Sequence, residues 1–137
     1  MSPSNQTDTE GGNALIYKIH DAFLADSFIQ SKVNGRIKFY EYPAAGDVSG
    51  PCIVIDPIAS PVPGDYADNQ WLTDDYLFQI EVWSKSLEDT GSIAKQIRSV
   101  MWKVLGFSQT GTGVDEWDPD TGVYRDARRY RGKIYID

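Results

Sequence analysis

The side chains able to do bond chemistry are few and scattered. His20 is the sole histidine in 137 residues, which excludes metal sites built on several histidines and mechanisms that need two imidazoles. Lying between Ile19 and Asp21, it reads as a helix-flank residue rather than a general base. Cys52 is the sole cysteine and opens the apolar run 52–56. A nucleophilic thiolate needs an exposed, electropositive setting, so a buried structural thiol is expected there. Asp115, Glu116, Asp118 and Asp120 have the composition of a calcium loop without its spacing. With Gly122 at the invariant glycine position the first ligand would be Trp117, and the closing glutamate is missing. A polar hairpin turn is expected instead. Gly111-Thr112-Gly113 lacks the third glycine and the following helix of a phosphate-binding loop, and no Gly-x-Ser-x-Gly, Walker lysine loop or His-Glu-x-x-His occurs. No catalytic, metal-binding or cofactor-binding set is therefore expected, and an enzyme is the least favoured reading.

Two stretches carry chemistry of another kind, that of recognition. Residues 57–75 are acidic and aromatic, with Asp65, Tyr66, Asp68, Trp71, Asp74 and Asp75, and three prolines, Pro57, Pro61 and Pro63, argue against regular structure. This is expected to be a long functional loop, with Trp71 reaching another subunit. Near the end of the chain, Tyr124, Tyr130 and Tyr135 interleave with Arg125, Arg128, Arg129, Arg131 and Lys133. Strand alternation puts Arg125, Arg129 and Arg131 on one face and Arg128 on the other with Tyr124 and Tyr130, so the basic residues do not gather into one patch. Such a strand suits a subunit boundary where arginines meet acidic groups of a neighbour, a solvated edge strand guarded by charge, or a nucleic-acid-binding face.

The elements that must position these residues centre on 73–107. Phe78, Ile80 and Val82 alternate with Gln79 and Glu81, the period of a strand, while Leu77 and Trp83 keep the second face from being fully polar. From Ile93 the period becomes helical, through Ala94, Ile97, Val100, Met101, Val104 and Leu105, with Asp89 or Thr90 as N-cap and Gly106 as the left-handed stop. Before this unit, residues 1–12 are polar and expected to form a flexible arm. Asn13 is expected to cap a helix over 14–29 bearing Leu15, Ile16, Ile19, Ala22 and Phe23, with Leu24 at the margin of the stripe. Strands follow over 36–42 and 52–56, the second buried on both faces. After the helix, a loop over 107–113 leads to a hairpin of 114–117 and 123–136 around Asp118-Pro119-Asp120-Thr121-Gly122, and Gly132 is expected at a bulge. The fold class is α+β: a mostly antiparallel sheet with two helices packed on one face, a long loop and a C-terminal β-hairpin.

Length permits one domain, here 13–137, with a single core. One cysteine fits a reducing compartment, no apolar run is long enough for a membrane span, and the first residues lack the pattern of an export signal, so a soluble protein is expected. The net charge is −7, although residues 122–137 hold five basic against two acidic side chains. The rest of the chain is correspondingly more acidic, which opposes general nucleic-acid binding.

With these elements placed, the sequence resembles the tail terminator, or tail-completion, proteins of long-tailed bacteriophages. The resemblance lies in the order of parts over residues 13–136. An N-terminal helix precedes the strand Pro51-Cys52-Ile53-Val54-Ile55-Asp56 and the Pro/Asp-rich loop. The strand 76–84 with Phe78-Gln79-Ile80-Glu81-Val82-Trp83 follows, then the helix 93–105 ending in Gly106-Phe107, and last the hairpin. The resemblance implies a virion subunit without catalytic residues that forms a ring, commonly a hexamer. That ring would cap the tail tube on one side and meet the neck or connector on the other, with DNA passing through its lumen unbound. It would be assembled in the host cytoplasm and reside at the head–tail interface. A neck or head-completion connector is a second reading in the same class; a nucleic-acid-binding accessory domain using the Arg/Tyr strand is one from another. Asp65, Tyr66, Trp71, Asp74, Asp75, Arg125, Arg128, Arg129 and Arg131 are the residues expected at subunit or partner contacts.

Overall fold

Among the described residues, three helices lie against one face of a five-stranded sheet. The computed structural model of the chain describes residues 11–44 and 48–136; most of the expected flexible arm, residues 1–10, lies outside them. The elements run α1 (Gly11–Ala25), α2 (Ser27–Val33), β1 (Ile37–Phe39), β2 (Cys52–Ala67), β3 (Gln70–Ser84), α3 (Leu87–Leu105), β4 (Ser108–Asp118) and β5 (Val123–Tyr135). Sheet order is β1-β2-β3-β5-β4. Only β1 and β2 pair in parallel; the other pairs are antiparallel. The expected α+β class and the one-sided helical layer are both present.

The core is where the periodicities placed it. Leu15, Ile16, Ile19 and Phe23 of α1 and Ile93, Ala94, Ile97, Val100 and Met101 of α3 bury against Ile53, Ile55, Phe78, Ile80 and Val82 of the sheet. Cys52–Ile55 is buried throughout, as expected of a strand covered on both faces. Gly106 ends α3 in the left-handed conformation at φ 73°, its N–H closing on Met101 and Trp102 carbonyls.

Several boundaries differ from the sequence reading, each for a local reason. The first helix breaks in two because Asp26 turns extended and accepts a hydrogen bond from Ile29 N–H, capping α2, while also accepting one from Gln96 at 2.8 Å. Asn13 lies inside α1 rather than at its cap. The cap of α3 is Ser86, which accepts from Asp89 N–H at 3.1 Å, so the helix begins earlier than Asp89 or Thr90. Val104 lies outside the buried stripe and is exposed. The strand at 36–42 shortens to β1 because Tyr40 takes positive φ. Residues 108–113 belong to β4, with a register shift between Thr110 and Val114 and Gly111 at positive φ. Gly132 pairs with Tyr76 in unbroken register and is no bulge; a side chain there would strike the Phe107 ring.

The largest correction concerns 57–75. This is no loop: β2 and β3 continue as a hairpin to Ala67 and Gln70. The prolines are compatible because β1 pairs only with Ile53–Ile55. Beyond that point β2 is an edge strand, where a missing N–H breaks no ladder, and register shifts on either side of Ala59 take up the irregularity.

Candidate assembly interface

Among the described residues, β2, β3 and the end of β5 run on from Tyr76 toward the hairpin turn as a ribbon with exposed apolar side chains. The tip is a two-residue turn at Asp68-Asn69, both at positive φ (51° and 63°), between the paired Ala67 and Gln70. Tyr66 and Trp71 form a cross-strand pair behind it, 69% and 50% exposed. Apolar side chains are exposed on both faces of the ribbon. By strand alternation Trp71 and Tyr135 share one face, while Leu72 and Ile134 share the other. Isolated exposed apolar residues are ordinary on a monomer; a group on both faces of one projection makes the ribbon the candidate contact surface.

The acidic residues expected at the interface lie along this ribbon. Asp65, at positive φ, accepts from Lys133 Nζ at 2.9 Å through both carboxylate oxygens, and that partner raises the Lys133 pKa. Asp74 and Asp75 are half-buried on the shaft, Asp75 accepting from the Thr73 hydroxyl at 3.1 Å.

The arginines divide between the faces as alternation dictates. Arg125 pairs in register with Trp83, Arg129 with Gln79 and Arg131 with Leu77 on the face away from the helices, while Arg128 lies opposite Ile80 on the helical face. Arg125 is held within its own protomer: Nε donates to Glu81 Oε1 at 2.6 Å, Nη2 to Glu81 Oε2 at 3.2 Å and Nη1 to Glu116 at 2.9 Å. Glu81 is 0% exposed and also accepts from Trp83 Nε1 and Gln79 Nε2. Burial alone would raise its pKa, but the bonds from Arg125, Trp83 and Gln79 overcome that and hold the carboxyl below its usual range. Tyr42 packs over this cluster, its ring 5.9 Å from that of Trp83 and its hydroxyl donating to Asp56 at 2.8 Å. Arg128 donates to Asp126 at 3.0 Å and 3.2 Å and lies 3.4 Å from Gln109; burial of Asp126 raises its pKa against the pull of Arg128. Arg129 donates to Gln79 at 3.2 Å, and Arg131 is exposed beside the ribbon.

No family model and no curated protein sequence matches the chain. Among solved structures it is similar to a chain from "Virion of native gene transfer agent (GTA) particle", with a TM-score of 0.65 and 11% identity, covering 86% of this chain and 92% of that chain. The two chains share a fold. At that identity the gene transfer agent chain speaks for architecture, and the chemistry rests on this chain's own side chains.

Those side chains do not converge on a reaction centre. Cys52 is buried, and desolvation raises its thiol pKa although Arg36 and Lys38 pull the other way. His20 sits 3.2 Å from exposed Asp21, with its ring over Phe39. Asp118 spends its carboxylate inside the turn, accepting from Asp120 N–H and the Thr121 hydroxyl, as a hairpin cap does. Among the described residues no cluster of His, Cys, Asp or Glu is arranged to hold a metal ion, and no helix is long and apolar enough to cross a membrane. The expected interface residues thus fall into two groups. Asp65, Tyr66, Trp71, Asp74 and Asp75 gather on the ribbon, with Arg131 near its base, whereas Arg125 and Arg128 are engaged internally and exposed Arg129 is bonded to Gln79. Sequence reasoning missed Glu81, Glu116 and Asp126 as their partners. An acidic residue at the centre of a strand otherwise read as core was the available signal for Glu81.

Proposed function

We propose that the chain is a structural virion protein of a tailed, phage-like particle. In that role it forms a ring that caps the tail tube and joins it to the head or neck. The observation that carries this reading is the projecting ribbon, with apolar side chains exposed on both faces, on a fold shared with a chain of a gene transfer agent virion. A subunit built to meet unlike surfaces of its neighbours needs such a projection; a solitary monomer gains nothing from keeping it exposed. The net charge of −7 suits a ring through which DNA passes without being held. A hexamer, a tail-tube partner on one side and a neck or connector partner on the other complete the proposal, with assembly in the host cytoplasm and residence at the head–tail junction.

The test is native mass spectrometry of the purified protein, followed by electron microscopy after mixing with tail tubes. The expected result is a discrete multimer of several subunits, seen as a ring on the tube end. A strictly monomeric species, both free and in particles, overturns the proposal. Rings that bind the neck but ignore the tail tube point to a connector instead. The nucleic-acid-binding reading loses ground because the carboxylates of Glu81, Glu116 and Asp126 occupy Arg125 and Arg128.

A further inference from the structure

On the side of the molecule away from the ribbon, α2, α3 and the start of β4 frame an open groove of about 630 Å³. Phe28 and Trp102 supply its exposed apolar wall above the buried Phe107, and Lys95 and Arg98 stand among its lining residues, which include no acid. Trp102 is 61% exposed although it sits on a well-packed helix, and Phe28 is 38% exposed. Among the described residues neither Lys95 nor Arg98 is ion-paired. The groove thus presents aromatic surface beside uncompensated positive charge. The ribbon presents the converse: aromatic Tyr66 and Trp71 at a tip whose turn carries Asp68 and whose strands carry Asp65, Asp74 and Asp75 against Lys133.

We infer that the ribbon tip of one copy docks into the α2–α3 groove of a second copy, setting Tyr66 and Trp71 against Phe28 and Trp102 and Asp68 beside Lys95 and Arg98. This deepens the ring reading and rests on it. The occupant is a second copy because a tip cannot reach the groove of its own chain. The groove meets the sheet at Ser108 and Gln109, level with Arg131 and Tyr130 and so with Leu77 and Phe78. The tip lies beyond Gln70, about 23 Å further along the strand from Leu77, and on the opposite flank of the sheet. Tip and groove are different surfaces, so the contact is head-to-tail and propagates until the ring closes. Charge complementarity fixes its register, and the aromatic anchors supply the buried area.

Two variants with substitutions at exposed positions test the contact, with thermal melts confirming that each folds. Trp71→Glu spoils the tip and keeps the groove; Trp102→Glu spoils the groove and keeps the tip. Each alone is expected to run as a monomer by native mass spectrometry, with at least a tenfold loss of assembly affinity. Mixed together, they retain one intact tip and one intact groove and are expected to give a heterodimer and nothing larger. A cross-link arm uses Asp68→Cys with Lys95→Cys in one chain and a short bismaleimide, which is expected to yield a ladder rising to the ring size. Wild-type rings with variants that keep the wild-type mass overturn this inference while leaving the ring reading standing. So does a Trp71→Glu ring that forms but no longer binds tail tubes, since the tip then serves a different protein. Mixed variants that stay monomeric exclude a head-to-tail contact through these surfaces. A wild-type chain that is monomeric everywhere removes the ring reading and this inference with it.

Discussion

Replacing Arg125 by Met tests the cluster on the sheet face away from the helices. The substitution keeps the aliphatic length and removes the guanidinium that makes two bonds to Glu81, whose side chain is 0% exposed. Breaking a buried pair by removing one partner leaves an uncompensated charge and costs about 3–5 kcal/mol. Domain stability is typically about 5–15 kcal/mol, so the loss is a large fraction of the whole. The bond from Arg125 to Glu116 adds little, because the Glu116 side chain is 60% exposed and water replaces its partner. In the native protein the Glu81 pKa lies below the unfolded value, so its contribution is fully present above the unfolded carboxyl range and fades as pH falls through the folded pKa. In Arg125→Met only the bonds from Trp83 and Gln79 still oppose burial, and the folded pKa is expected to move above the unfolded one. Stability is then lost as pH rises through the ordinary carboxyl range. The gap between the two proteins therefore widens from acid to neutral pH, each pH unit between the two folded pKa values contributing about 1.4 kcal/mol. Urea unfolding at fixed protomer concentration measures it. With a slope of about 2 kcal/mol per molar, the midpoint at pH 7 should fall by about 2 M, and by clearly less at pH 4. A cost below about 1 kcal/mol at pH 7, or one independent of pH, refutes the argument. The companion Glu81→Leu/Arg125→Met removes both partners and should recover most of the loss.

Gly132→Ala should cost about 1–3 kcal/mol, because the added methyl meets the Phe107 ring; calorimetry checks this, and Phe107→Leu in the same chain should return part of the loss. Ser86→Ala removes the α3 cap and should cost about 1 kcal/mol in chemical denaturation, whereas Ser86→Gly should cost only a few tenths. Tyr130→Phe should be neutral or stabilising in the same measurement. Its buried hydroxyl has no well-formed hydrogen bond among the described residues, only the weak influence of nearby Arg128, and desolvation pushes its pKa to about 12, so the substitution removes a poorly satisfied polar group.

Most of the fold was legible because burial on one face imposes a period, and the period survives in sequence. Phe78, Ile80 and Val82 betray a strand, and Ile93 through Met101 a helix, since any other arrangement would expose them. What escaped was set by single side chains acting on backbone. Asp26 splits a continuous apolar stripe because capping α2 and bonding Gln96 outweigh one more helical turn there, and both Asp26 and Gln96 look like ordinary surface residues in sequence. Val104 satisfies the helical period yet is exposed; the period says which side of a helix a residue is on, not whether another element covers that position.

The ribbon was hidden for a different reason. Proline forbids the interior of a sheet but not its edge, and whether β2 has a neighbour beyond Ile55 depends on β1 ending at Phe39, which no residue within 57–75 encodes. Within the stretch itself the Asp68-Asn69 turn, flanked by Tyr66 and Trp71, was the one hairpin signal, weak because it lacks the glycine that usually follows. The same logic separates the arginines. Alternation assigned Arg125 and Arg128 to opposite faces, but the carboxylates they meet come from β3 and β4 and from Asp126 itself. A basic strand can be read from sequence; whether its charge remains available to a partner is decided by which acidic residues the sheet order lays beside it. Here that order engages the strand's central charge and, among the described residues, leaves the apolar side chains of the ribbon exposed.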